Sequence, residues 1–260
     1  IMLADHVAKG RDCTVGCIAV PKAEASAFGV MAVDENSIIT DFLEKPADPP
    51  GIPGNPDMAL ASMGIYVFHT RFLMDLLRRD AADPNSSRDF GKDIIPYIVR
   101  HGKAVAHRFS RSCVRSSTEA TSYWRDVGTI DSFYEAHMDL ISSHPVFNLY
   151  NDRWPLFAGY QAAMPPAKFV YGHHERLGHA VDSIVSPGVI VSGGEVISSV
   201  LSPGVRVNSW SSVRESVLMD GAEVGRNTVV NRAIPDLTDE WDLMVTHRDL
   251  ADRAAEKAPS

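Results

Sequence analysis

Apolar and polar residues alternate with a period of two in five runs, at 13–20, 28–33, 37–43, 61–68 and 104–109, and each run predicts a β-strand. Between and after these runs the apolar positions recur at helical spacing, over 70–82, 89–101 and 129–142. Asn85-Ser86-Ser87 reads as the cap that opens the second of these helices, and Thr129 reads as the cap of the third. A short helix at the start carries Leu3 and Val7 on one face and runs directly into the first strand, without a capping residue. Strands alternating with helices predict an α/β sheet with helices packed on it.

Two stretches break the pattern. Pro46, Pro49, Pro50, Pro53 and Pro56 make 46–56 too proline-rich for a regular element but stiff enough to hold a path over a neighbouring site. The segment 144–179, with Pro145, Trp154-Pro155 and Pro165-Pro166, reads as an ordered linker. Beyond it, VSPGVIV, LSPGVRV and LMDGAEV recur after 16 and then 17 residues, with turn residues at the corners and aliphatics between. Repeats of this length predict three short strands per coil over 180–234, a parallel β-helix of the left-handed, hexapeptide-like kind. An antiparallel meander is the alternative. The repeats lack a histidine, which argues against an acyltransferase site and leaves packing and regulation as their business.

A chain of 260 residues with 45 % apolar content has room for one large or two medium domains with a substantial core. A net charge of −8 without a basic run argues against nucleic acid or an anionic membrane as the main partner. The longest apolar runs are too short to span a bilayer, so the reading is cytoplasmic. Cys13, Cys17 and Cys113 are too few and too spread for a disulfide framework or a metal cluster; they read as buried thiols in a reducing compartment.

Candidate chemistry gathers at strand ends. In SAFGVMAVDENSIITDFLEKP, two strands join through Asp34-Glu35-Asn36 and end on Glu44-Lys45, held against Pro46. Charges there face either solvent or a ligand. Gly29 marks either close approach of backbone to a ligand or a bulge. Ser62, in ASMGIYVF, offers one hydroxyl and is otherwise a turn residue. Asp126, in YWRDVGT, serves either the electrostatics of the following helix or a metal. His173-His174-Glu175 reads as an exposed connecting loop.

The blocks EASAFGVM, EKPADPP, ALASMGIYVF, NSSRDFGKDIIP, YWRDVGT and RVNS, in this order, resemble the bacterial glucose-1-phosphate adenylyltransferases, the ADP-glucose pyrophosphorylases of glycogen synthesis. The resemblance runs from Ile1 to about Ile234. It implies the C-terminal part of a Rossmann-like nucleotidyltransferase domain over 1–143, then the linker and the β-helix, and a reaction of ATP with glucose 1-phosphate assisted by Mg²⁺; the alternatives are another sugar nucleotidyltransferase or a non-catalytic regulatory or assembly subunit. It places Gly29, Glu44, Lys45 and Ser62 at the sugar phosphate, with Lys45 also catalytic, and Asp126 as a catalytic metal ligand. It implies a homotetramer, and it locates the glycine-rich ATP loop and a second metal aspartate upstream of Ile1, so the chain alone is expected not to catalyse. Two departures stand out: Arg88 replaces the family's usual histidine, and the acidic tail 235–260 replaces further β-helix coils.

Overall fold

The computed structural model describes residues 1–102, 104–114, 122–155, 164–172 and 176–235. The chain forms two compact units, 1–114 and 115–260. The tail 236–260 and the His173-His174-Glu175 triplet lie outside the described residues.

The first unit is built on a five-stranded mixed sheet. Helix α1 (Met2–Lys9) leads into β1 (Cys13–Pro21), β2 (Gly29–Val33), β3 (Ile39–Glu44) and β4 (Met58–Phe68). Helices α2 (Thr70–Ala82) and α3 (Ile95–Arg100) follow, then β5 (Ala104–Arg108). The strand order is β3-β2-β4-β1-β5, with β1 and β5 parallel and the other pairs antiparallel. All five predicted strands are present, β4 beginning earlier because its pairing with β1 extends to Pro21 and Met58.

The period of two in β1 sorts its residues between two faces. Cys13, Val15 and Cys17 join Met31, Phe42 and Leu60 in a core closed by Leu76, Ile94, Ile95 and Ile98 from the α2–α3 side. Thr14, on the opposite face, meets buried His6 of α1 at 2.8 Å. Helix α1 therefore buries a histidine and leaves Leu3 and Val7 exposed. The thiols of Cys13 and Cys17 are fully buried, and burial pushes both up to about 12; Cys113 is half-buried. Asp34 makes the β2–β3 turn by accepting from the amides of Asn36 and Ile38. The proline-rich loop is pinned by a 2.8 Å Lys22–Asp48 ion pair and by a backbone bond from Ile52 to Met58.

The helix expected over 89–101 is in two parts. Phe90–Ile94 is a π-helical turn, and α3 begins only at Ile95. Pro96 has no N–H to donate to the preceding turn, which displaces the regular α-helical ladder at this point. The cap is also not the expected one. Asp89 accepts from the Lys92 amide at 3.0 Å, while Ser87 Oγ donates to Asp93 at 2.6 Å and Ser86 Oγ to Asp80 at 2.7 Å.

In the second unit α4 (Ile130–Leu140) is capped by Thr129, as expected, whose Oγ1 accepts from the Ser132 amide. Tyr134 and Phe133 of α4 pack with Val200 and Val217 of the solenoid, so α4 belongs by contact to this unit although it precedes residue 143.

All solenoid pairings between coils are parallel, which removes the meander alternative. Ile184, Val200 and Val217 pair in sequence, as do Ile190, Arg206 and Glu223, at the 16- and 17-residue steps of the repeat. Lys168–Phe169 and His179–Val181 already pair into these sheets, so the solenoid begins inside the segment read as a linker. One histidine, His179, thereby falls within a coil.

Each corner repeats one backbone device. Residues 188, 204 and 221 are glycines at φ 79°, 75° and 70°. Asp182, Ser198, Glu215 and Arg232 hold φ between 43° and 51° at a second corner. The residue after each of the first three is a serine, and these serines link the coils. Ser199 Oγ donates to Ile197 O and accepts from the Ser216 amide, and Ser216 Oγ donates to Arg214 O and accepts from the Ala233 amide. Val191, Val207 and Val224 stack inside, as do Val196, Val213 and Val230.

Candidate functional site

Register brings the candidates of the first unit together. Gly29 pairs with Glu44 across β2–β3, and the Val30–Ala61 pair sets Gly29 beside Ser62 one step further along β2–β4. Ser62 in turn pairs with Cys17 on β1. Glu44, Gly29 and Ser62 thus form one row across three strands, at the end of the face whose interior is the α2–α3 core. Lys45 follows directly. Its φ of 49° turns the chain out of the strand, while its amide remains tied to Phe28 O at 3.0 Å. A left-handed lysine costs about 1–2 kcal/mol relative to ordinary backbone, a strain that clusters at ligand clamps.

The glycine of the row makes room for side chains. A Cβ on Gly29 would lie 2.9 Å from Glu44 Oε2 and 2.6 Å from Phe42 Cζ. The residue is buried at an ordinary negative φ, so the close approach is by Phe42 and the Glu44 carboxylate.

β4 carries an irregularity next to the row. Val15 pairs with Tyr66 and Cys17 with Ser62, so two steps on β1 face four on β4, and Gly64 within the bulge has φ 69°. Bulges of this kind re-aim side chains near functional sites. Here Ser62 Oγ accepts from the Gly64 amide at 3.3 Å, and the Tyr66 ring stacks on Phe90 at 5.9 Å between centroids. Burial, first of all, pushes the Tyr66 phenol up; Glu44 and Asp89 add to this and Ser62 opposes it. The phenol therefore stays protonated and can donate.

The sequence reading missed Tyr66, Asp89 and Gly91 as members of this group. Their signal was present in GIYVF and RDFGKD, but only the fold brings the π turn over the end of β3. Arg88 lies beside it at φ 61°, exposed, with its amide on Ser86 Oγ.

Glu44 and Lys45 are exposed, and among the described residues no ion pair or hydrogen bond engages either side chain. The end of the sheet therefore presents an exposed acceptor and an exposed cation whose charges are not spent on each other; the Ser62 hydroxyl of the row is buried and accepts from the Gly64 amide at 3.3 Å, and Tyr66 is half-buried. That set suits a polyhydroxylated, anionic ligand.

Asp126 belongs to the second unit and is described with it. The helix after it takes its cap from Thr129 and its first-turn acid from Asp131, and Arg125 bridges to Asp139 at 2.8 Å. Asp126 itself is exposed, its carboxylate lying 3.3 Å from where a Cβ on Gly128 would be. Among the described residues there is no cluster of three metal-ligating side chains. Asp126 on its own offers one open carboxylate.

Two family models match the chain. "Nucleotidyl transferase" covers residues 1–143, and "GlmU-like, C-terminal hexapeptide" covers 165–240. The mixed sheet with its helices and the solenoid of three-strand coils are the corresponding folds, the second a left-handed parallel β-helix. Among curated relatives, glucose-1-phosphate adenylyltransferase of Rhizobium meliloti (strain 1021) is 57 % identical over 236 residues, 91 % of this chain and 56 % of the relative. The enzymes of the same name from Sinorhizobium fredii and Agrobacterium fabrum are each 56 % identical, over 91 % and 90 % of the chain and 56 % of each relative. The chain thus spans about half the length of the curated relatives it matches.

Proposed function

The chain belongs to the nucleotidyl transferase family, and from that premise we propose that it carries the sugar-phosphate half of a glucose-1-phosphate adenylyltransferase. The whole protein would join ATP and glucose 1-phosphate to give ADP-glucose and pyrophosphate. The observation that carries this reading is the row Glu44–Gly29–Ser62 with Lys45 turned out beside it on left-handed backbone.

In this reading a phosphate oxygen of glucose 1-phosphate attacks the α-phosphorus of ATP and pyrophosphate leaves. Little covalent chemistry falls to the protein; positioning and charge supply the rate. Lys45 meets the sugar phosphate as a compact cation and lowers the repulsion between the two anions. Glu44 accepts from sugar hydroxyls, and Ser62 and the protonated Tyr66 fix the ring's orientation. Magnesium, when bound, would neutralise charge on the triphosphate. Asp126 is the residue of this chain that would hold it: a single exposed carboxylate fits an ion usually held by one or two carboxylates, phosphates and water.

The same reading assigns the protein to glycogen synthesis in the cytoplasm, as an allosterically regulated homotetramer. These four assignments follow from the motif resemblance of the sequence alone, and the relatives bear only on the reaction, through the name they share. No helix among the described residues is long and apolar enough to cross a membrane.

Calorimetric titration of the 260-residue chain with glucose 1-phosphate tests the reading. Lys45→Ala should weaken binding about ten- to a hundredfold, the cost of losing a charge-assisted contact. Equal affinity of wild type and variant would return Lys45 to the class of ordinary surface lysines.

A further inference from the structure

Gly91 lies in the π turn Phe90–Ile94, opposite the end of β3. Its φ is not positive, so nothing in the backbone demands a glycine. A glycine inside a helical turn costs about 1 kcal/mol relative to alanine. What the missing side chain provides is space: a Cβ would stand 2.7 Å from Glu44 Oε2, 3.3 Å from Glu44 Cδ and 3.3 Å from Asp89 Oδ1. Gly29 stands against the same Oε2 at 2.9 Å by the same measure. The Glu44 carboxylate is therefore seated between two glycines, one on β2 and one in the π turn.

We propose that Gly91 is a positioning residue for the sugar-phosphate site, holding open the seat from which Glu44 addresses the sugar. The proposal rests on the functional reading above, but its geometry does not. The two glycines differ in what they oppose. A methyl at position 29 would strike the core ring of Phe42 as well as Glu44, so Gly29→Ala perturbs the core. The atoms nearest a methyl at position 91 are the flexible end of Glu44, at 2.7 Å, and Asp89 Oδ1, at 3.3 Å, which caps the turn by accepting from the Lys92 amide and need give only a few tenths of an ångström. Gly91→Ala should therefore fold normally, with an unchanged or slightly raised melting temperature, while the Glu44 carboxylate leaves its place.

The test is calorimetric titration with glucose 1-phosphate of the wild-type chain, Gly91→Ala, Glu44→Ala and the double variant. The expected result is about a tenfold loss of affinity for Gly91→Ala alone, the scale of one hydrogen bond to a charged acceptor. The double variant should bind no worse than Glu44→Ala, because Gly91 acts only through the carboxylate that Glu44→Ala removes. Unchanged affinity in Gly91→Ala overturns the proposal, and so do additive losses in the double variant, which would indicate a general structural role. Failure of the wild-type chain itself to bind would instead bring down the functional reading, and the proposal with it.

Discussion

The solenoid and the open end of the mixed sheet treat their polar groups in opposite ways. In the solenoid, Ser199 and Ser216 each donate within their own coil and accept from the next, and Glu195–Arg214 and Glu215–Arg232 pair across coils. Polar side chains there serve mostly to satisfy one another. At the sheet end, Glu44 and Lys45 are adjacent and unengaged; left-handed backbone turns Lys45 outward as it does the solenoid corners Asp182, Ser198, Glu215 and Arg232, so the contrast lies in the open side chains. The difference separates a scaffold from a site: groups that answer each other hold a fold, and groups left open await a ligand.

The largest effect should come from breaking the scaffold side of this contrast. Ser199 is fully buried, and Ser199→Ala leaves the Ser216 amide without its acceptor. A loss of about 1–3 kcal/mol is expected, measurable by chemical denaturation. Stability equal to wild type would mean that the serine column is not a structural device.

A smaller effect is expected on the back of the sheet, where the Asp5 carboxylate is engaged while His107 Nε2 is buried without a partner among the described residues. Asp5 accepts from His107 Nδ1 at 2.7 Å and pairs with Lys9 at 3.0 Å. The His107 hydrogen bond above all, with help from Lys9 and against partial burial, holds its carboxyl below the ordinary 3.8. A depressed carboxylate contributes stability that is complete above the ordinary value and fades as pH falls through the folded one. Asp5→Asn should therefore cost about 1–2 kcal/mol at neutral pH, and the two proteins should converge in stability as pH falls below the ordinary 3.8 and through the lowered folded value. A pH-independent difference would contradict the assignment to Asp5.

The smallest effect on stability should fall at the site itself. Lys45→Ala, though it weakens ligand binding, should change folding free energy by no more than about 0.5 kcal/mol, since no protein group loses a partner. A large destabilisation would erase the distinction between site and scaffold.

How far the sequence discloses this arrangement depends on the range of the interaction. The 16- and 17-residue steps make the solenoid legible, because each coil repeats the previous one and the register follows from the period. Its start is not legible: Lys168–Phe169 follows Pro165-Pro166 and pairs with Ile190–Val191 at a step of 22 residues, outside the 16- and 17-residue period, so nothing local marks it as a coil. The five strands show in their alternation, and Thr129 shows as a cap. The start of α3 does not, because Pro96 imposes a π turn whose cap is Asp89 rather than the upstream serines. The row at the site depends on cross-strand register. Resemblance supplied Gly29, Glu44, Lys45 and Ser62, but nothing local says that Gly29 and Gly91 flank one carboxylate, or that a bulge at Gly64 interrupts β4 between Ser62 and Tyr66.

The most direct test of the central claim is an amide-resolved NMR titration of the 260-residue chain with glucose 1-phosphate. Shift changes should concentrate at Gly29, Glu44, Lys45, Ser62, Tyr66 and Gly91, while the serine column Ser183, Ser199 and Ser216 stays still. Changes centred on the solenoid, or none at saturating sugar phosphate, would contradict it.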